Sequence, residues 1–141
     1  MKPLLFVDTD VVLDLLARRE PFYPAAAELF SQAEAGSVTL CVSSLTFSNL
    51  FYILRKQLAA GKAHEVLRTF KQLVRVIAVD DAIVDQALQA GFTDFEDAIQ
   101  HFSAISAGCT VLITRNVRHY RKAAIRVVTA EVYCRACCRG R

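Results

Sequence analysis

The acids of this chain that are placed to do chemistry fall in two short stretches. Asp8, Thr9 and Asp10 follow directly on the apolar run "LLFV" at 4–7. Asp94, Glu96 and Asp97 crowd the start of "FTDFEDAIQHFSA", which otherwise has the apolar period of a helix. Such carboxylates either cap helix ends or hold a cation. At 100° per residue, Phe95, Ala98, Ile99, Phe102, Ile105 and Ser106 share the face expected to pack on the core. Asp94, Asp97 and His101 form a stripe on its flank, and Glu96 points roughly the other way. Thr93 with Glu96 fits a capping box. Asp94 suits the first helical turn, where the helix dipole favours an acid, and Asp8 or Thr9 could cap the helix after the first strand. Asp97 is harder to explain structurally, because an unpaired carboxylate at the border of a buried face is costly.

A site gathering Asp8, Asp94 and Asp97 is tolerable only with a cation present or with raised pKa values. All-oxygen ligands are hard and point to Mg²⁺ or Mn²⁺ rather than zinc. Carboxylate-held Mg²⁺ usually serves phosphate chemistry, activating water and stabilising charge on phosphoryl oxygens. His101, one turn beyond Asp97, could reach a metal or phosphate, or pack at the helix flank with its tip in water.

The elements that must position these residues alternate regularly. Strands are expected at 4–7, 39–42, 75–79, 110–114 and 125–129. Helices are expected after the first strand (10–19), at 23–36, from Ser43 or Ser44 to about Ala60 with Gly61 breaking it, over 62–74, over 81–91, and from Thr93 to Ala107. This pattern predicts an α/β domain: three layers, α/β/α, around a central, mainly parallel sheet of about five strands. Such sheets bind ligands beyond the carboxyl ends of their strands, here Asp8-Thr9-Asp10, Ser43-Ser44 and Thr114-Arg115-Asn116.

At 141 residues, with 54% hydrophobic and 22% charged, the chain suits one folded domain over 1–133. Residues 134–141 are read as a mobile Cys/Arg-rich tail. No apolar run reaches the roughly 18 residues of a membrane span, and the start lacks the pattern of a signal peptide, so a cytoplasmic protein with no membrane partner is expected. Cys41 and Cys109 read as buried thiols. Cys134, Cys137 and Cys138 give only three soft ligands with no zinc-finger partner pair. From Arg115 to Arg141 there are eight Lys/Arg against one acid, Glu131. A basic end beside an acidic middle suits a protein that meets a polyanion near a cation; a plain solvated surface would look the same.

Four segments, "LLFVDTDVVLDLLARREPF", "VSSLTFSNLFYIL", "DFEDAIQ" and "VLITRNVRHY", resemble in this order the four conserved blocks of PIN-domain proteins, from about Leu4 to Val132, and within them the bacterial branch with Asp-Phe-Glu-Asp-Ala. The resemblance implies a small α/β nuclease, in many relatives an Mg²⁺- or Mn²⁺-dependent endoribonuclease and the toxin of a toxin–antitoxin pair. By position it places the family's acids on Asp8 and Asp97, with Asp94 beside the latter. The family's second acid, usually Glu, falls on Asn49. A further acid position falls on Asn116, or in some relatives on His119. An amide can still coordinate Mg²⁺, without charge, and Asp10 or Asp14 could restore some. Thr114 and Ser44 are expected to hydrogen-bond the carboxylates.

The leading expectation is metal-assisted hydrolysis of single-stranded RNA: Asp8, Asp94 and Asp97 hold the ion, Asn116 is a neutral ligand, and Arg115, Arg118 and Lys122 contact phosphates. Two rivals stand beside it. One is a catalytically weakened PIN fold that binds RNA or protein. The other is a haloacid-dehalogenase-type phosphatase, suggested by the Asp-x-Asp after the first strand. The resemblance further implies a homodimer and a small antitoxin partner. The apolar excess in "SNLFYILRKQL" could serve either, or the core.

Overall fold

In a computed structural model, residues 2–139 are described, and the side chains beyond Cys137 lie outside the description. Five strands form one parallel sheet: β1 (Leu4–Val7), β2 (Thr39–Ser43), β3 (Arg75–Ile77), β4 (Val111–Ile113) and β5 (Arg126–Val128), in the order β3-β2-β1-β4-β5. Successive side chains of a strand face opposite sides, and both sides are covered here. Leu5, Val7, Leu40, Val42, Val111 and Ile113 pack under α1 (Thr9–Leu16), α2 (Tyr23–Glu34), α3 (Ser44–Leu54), α4 (Ala60–Lys71) and α7 (Ala130–Arg139). Phe6, Cys41 and Leu112 face the other way, toward α6 (Phe95–Ser106). Helix α5 (Asp81–Gln89) packs on α6 through Ile83, Ala87, Ala98 and Ile99. The expected three-layer α/β/α architecture is what the chain adopts. β1 is central, so the residue that follows it emerges mid-edge, where the strand order changes direction.

Helix ends follow the local chemistry. Gly36 and Gly91, just beyond α2 and α5, take φ of 82° and 72°, a region where a side chain would be strained. Ser43, not Ser44, caps α3, its hydroxyl accepting from the Thr46 amide at 3.3 Å. Two expectations fail in this region. Helix α3 stops at Leu54, and Gly61 lies within the first turn of α4 rather than breaking a longer helix. A glycine costs only about 1 kcal/mol in a helix interior, so it weakens a helix without forbidding it.

Residues 134–139, expected to begin a tail, instead continue α7. Cys134 is buried, with its sulfur 3.9 Å from the Ala25 carbonyl on α2. Gly140, Arg141 and the side chain of Cys138 lie outside the described residues. Cys41 and Cys109 are free, buried thiols. The apolar run after Asn49 goes mainly to the core: Leu50 and Leu54 are buried, and Phe51, Ile53 and Leu58 pack against them. Tyr52 alone stands out, 69% exposed. No helix among the described residues is long and apolar enough to cross a membrane.

Candidate active site

β1 delivers Asp8 to the carboxyl edge of the sheet, and α1 begins one residue later, so this carboxylate has two tasks. Its Oδ1 caps α1, accepting from the Thr9 amide at 2.8 Å. Its Oδ2 accepts from the Thr114 hydroxyl at 2.8 Å and lies 3.3 Å from the Tyr120 hydroxyl. Asp8 is only 5% exposed. Burial raises its pKa, Asp10 adds to the rise, and the Thr114 hydrogen bond opposes both.

Asp97 faces Asp8 from the first turn of α6, and the same Tyr120 hydroxyl lies 3.2 Å from its Oδ1. A phenol carries one proton, so it donates to one carboxylate at a time. Burial and the two carboxylates push Tyr120 far above its ordinary pKa, which keeps that proton in place. Asp97 Oδ2 is buried without a hydrogen-bond partner and has His119 Nδ1 3.2 Å away as an ion-pair neighbour. Burial, then Asp8 and Asp94, raise the Asp97 pKa to about 6. The pair is thus one proton or one cation short of comfort.

The rim adds more charge. Asp94 is the N-cap of α6, its Oδ1 accepting from the Asp97 amide at 3.0 Å. Asn49 donates to Glu96 at 2.9 Å, and Asn116 donates to Asp10 at 3.1 Å. Asp8, Asp10, Asp94, Glu96 and Asp97 line one cleft of about 400 Å³, with Asn49, Asn116 and His119 beside them. Each of the two amides at expected acid positions holds an acid from elsewhere in the chain. The charge expected at Asn49 is brought into the cleft by Glu96, whose pKa is raised by burial and then by Asp8, Asp94 and Asp97.

Several expectations are corrected. The helix starts at Phe95, so Asp94 and not Thr93 caps it, and Glu96 turns into the acidic cleft instead of closing a capping box. The buried face is Ala98, Ile99, Gln100, His101, Ser103 and Ala104, while Phe95 and Ile105 are 48% and 39% exposed. α5 covers one flank of α6 and the sheet another, which a single apolar stripe does not reveal. His101 is 2% exposed, accepts from the Ala124 amide at 3.0 Å and has its pKa lowered by burial, so it is a neutral packing residue. Ser44 accepts from the Val79 amide rather than touching a cleft acid. Asp14 adds no charge to the cleft: it is buried and pairs with Arg115 at 3.1 Å.

Arg115 is committed as well. It also lies 3.9 Å from Asp10, and its guanidinium lies 4.3 Å over the Phe22 ring. Removing it would take from buried Asp14 its nearest counter-charge and leave only the field of Arg19. Arg115→Ala is therefore expected to cost about 2 kcal/mol of stability in urea denaturation. A residue serving only as a phosphate contact would leave the unfolding midpoint where it was.

Sequence reasoning missed Tyr120 and Gln100. Gln100 is fully buried behind the cleft. Its Oε1 accepts from Ser43 at 2.8 Å, and its Nε2 donates to Thr46 and Thr9 at 3.2 and 3.3 Å. A glutamine amid the apolar period of α6 was the available signal.

A family model described as "PIN domain" matches residues 5–118. The chain belongs to the PIN-domain family. The match takes in Asp8, Asp94, Asp97 and Asn116 but ends two residues before Tyr120. Among solved structures, a DNA-bound VapBC from Salmonella typhimurium is similar at 22% identity and a TM-score of 0.70, over 92% of this chain and 99% of that one. VapBC-1 from nontypeable Haemophilus influenzae gives 15% and 0.70, over 91% and 98%. VapC20 from Mycobacterium tuberculosis, described as a sarcin–ricin loop cleaving toxin, gives 16% and 0.61, over 77% and 86%. These likenesses establish a shared fold. No curated protein matches the chain. The family leaves no place for the haloacid-dehalogenase reading.

PIN nucleases generally use divalent metal ions. The donors here fit such an ion in kind: they are hard oxygens, the Asp97 Oδ2 atom is buried and unsatisfied, and the Asp8–Asp97 pair resists full ionisation without a counter-charge. In number they are incomplete. Among the described residues, no three His, Cys, Asp or Glu side chains already form a group able to hold a metal. Asp8 and Asp97 would supply a pair of donors, and a side chain of the rim such as Asp94, Asp10 or Asn116 would be needed to complete the set.

Proposed function

We propose that this protein is an Mg²⁺- or Mn²⁺-dependent endoribonuclease acting on phosphodiester bonds of single-stranded RNA, and the toxin of a toxin–antitoxin pair. The observation that carries the reading is the facing pair Asp8 and Asp97, with Asp97 Oδ2 buried and without a hydrogen-bond partner. Asp8, Asp97 and Asp94 would hold the ion, with Asn116 as a neutral donor. The ion would supply a Lewis acid for the attacking water and the phosphoryl oxygens. The chain's own part is to orient. Thr114 and the Thr9 amide fix Asp8, Asp94 sets the first turn of α6, and Tyr120 spaces the two carboxylates. The family and the likeness to VapBC proteins support the toxin reading and a small antitoxin partner, and the proposal takes the protein as a homodimer acting in the cytoplasm.

The experiment is cleavage of a labelled single-stranded RNA with Mg²⁺, with Mn²⁺ and with excess chelator, beside calorimetry with Mn²⁺. Metal-restored cutting supports the assignment. If Mn²⁺ does not bind at millimolar concentration and no RNA is cut, the protein is instead a binding module; its two amides at acid positions and its incomplete ligand set favour that second reading.

Tyr120→Phe isolates the orienting role. Thr114 still holds Asp8, so the fold should persist. Partners that orient metal ligands are typically worth 10–100-fold in metal affinity. Mn²⁺ affinity is therefore expected to fall by about tenfold or more, with an unchanged circular dichroism spectrum. Unaltered affinity would remove Tyr120 from the centre.

A further inference from the structure

Two cavities of opposite charge meet at Asp94 and His119, which line both. One is the acidic cleft. The other, about 560 Å³, lies between the loop at Gly91–Asp94 and the segment Arg118–Lys122. Arg118, Arg121 and Lys122 form its basic wall, and all three are exposed. Neither Arg118 nor Arg121 makes an ion pair among the described residues. Lys122 donates one hydrogen to the Gly91 carbonyl at 2.9 Å, which ties the two walls together and leaves two N–H groups unused. A Cβ on Gly91 would come within 3.0 Å of that ammonium. Phe92 lines the same groove and packs against His101 and Tyr120 at ring-centroid distances of 5.2 and 6.3 Å.

The acidic cleft repels a phosphate by itself. A polyanion reaches it only with a cation bound there and with positive charge close by to offset the cleft's field. We propose that the groove lined by Arg118, Arg121 and Lys122 is a subsite for the nucleotide beside the scissile bond, taking one backbone phosphate while the neighbouring phosphate lies in the carboxylate cleft. The inference rests on the RNA-nuclease reading and gives it a substrate path. Arg115, tied to Asp14, is not part of that path. The groove opens onto the cleft past Asp94 and His119, so a strand crossing that border meets fixed positive charge on one side and the carboxylates on the other. A single strand is favoured because its phosphates can follow a bent route.

The test uses the full chain carrying Asp97→Asn, to suppress cutting, with a fluorescein-labelled single-stranded RNA followed by anisotropy across a salt series. Adding Arg118→Glu and Arg121→Glu is expected to weaken binding tenfold or more and to flatten the log–log salt slope by about 0.7 for each phosphate no longer neutralised. Arg68→Glu with Lys71→Glu, on the exposed side of α4, should change binding less than twofold. In the cutting-competent protein, a methylphosphonate next to the cleaved bond should slow cleavage at one flanking position only, and the groove variant should be insensitive to it. Equal binding by groove variant and parent overturns the subsite. Failure of the wild-type protein to cut any RNA defeats the nuclease reading instead, and the anisotropy arm then decides the subsite alone.

Discussion

Asp97→Asn is expected to lose metal-dependent RNA cleavage by a hundredfold or more while making the metal-free protein more stable at neutral pH. The loss follows from removing the charge of one of two facing carboxylates; even residues that merely orient metal ligands are worth 10–100-fold. The gain follows from linkage. Asp97 titrates near 6 in the folded protein against an ordinary 3.8. The native state therefore holds that proton more tightly than the unfolded chain does, and the slope of stability with pH is negative for this group. Its contribution is fully present below about pH 4 and is lost as pH rises through 6, amounting to roughly 2–3 kcal/mol by pH 7. Asp8 and Glu96, whose pKa values are also raised, act in the same direction. Thermal unfolding of both proteins at pH 4 and pH 7 in chelator tests this: the two should differ more at pH 7, and added Mn²⁺ should raise the melting temperature of the parent alone. Equal melting temperatures at pH 7, or retained cleavage, would contradict the role given to Asp97.

Gln100→Ala is expected to cost about 3 kcal/mol, or roughly 10 °C in melting temperature for a chain of this size. The substitution opens a cavity and takes the amide partner from three buried hydroxyls, on Thr9, Ser43 and Thr46, leaving them only longer bonds of 3.3–3.5 Å to one another and to the Thr46 amide. These hydroxyls belong to the starts of α1 and α3 and to the end of β2, and the amide ties all three to α6. Metal affinity should therefore fall as well, although Gln100 lies behind the cleft, because α6 carries Asp97. Urea denaturation and Mn²⁺ calorimetry on the same preparation separate the two effects. An unchanged Mn²⁺ affinity would show that the apolar contacts of α6 with α5 and with the sheet are enough to hold it.

Strand positions and the carboxyl-edge location of Asp8 were legible because parallel strands buried on both faces read as unbroken apolar runs. Asp97 was legible from its place on the flank of a helix. What stayed hidden depended on contacts distant in sequence. Glu96 looked like a capping residue because local spacing permits it; only the fold brings it to Asn49, 47 residues away. Arg115 looked like a free cation until Asp14 was brought beneath it. Tyr120 could not be read at all, since nothing local tells a tyrosine packed for its ring from one used for its hydroxyl. The end of α3 was misjudged because residues of good helix propensity, Arg55, Lys56, Gln57 and Leu58, run on past the point where the chain turns.

The bonds that define Asp8 span 106 residues to Thr114 and 112 to Tyr120. β4, which flanks β1 at the carboxylate edge, likewise follows β1 by more than a hundred residues. A ribosome extends a protein by about 5–20 residues per second and releases it from the N-terminus first. Until Asp97, Thr114 and Tyr120 have followed it off the ribosome, Asp8 stands without the hydroxyls that hold it and without the carboxylate it faces. A nascent chain that has not yet reached Tyr120 therefore cannot carry a finished cleft.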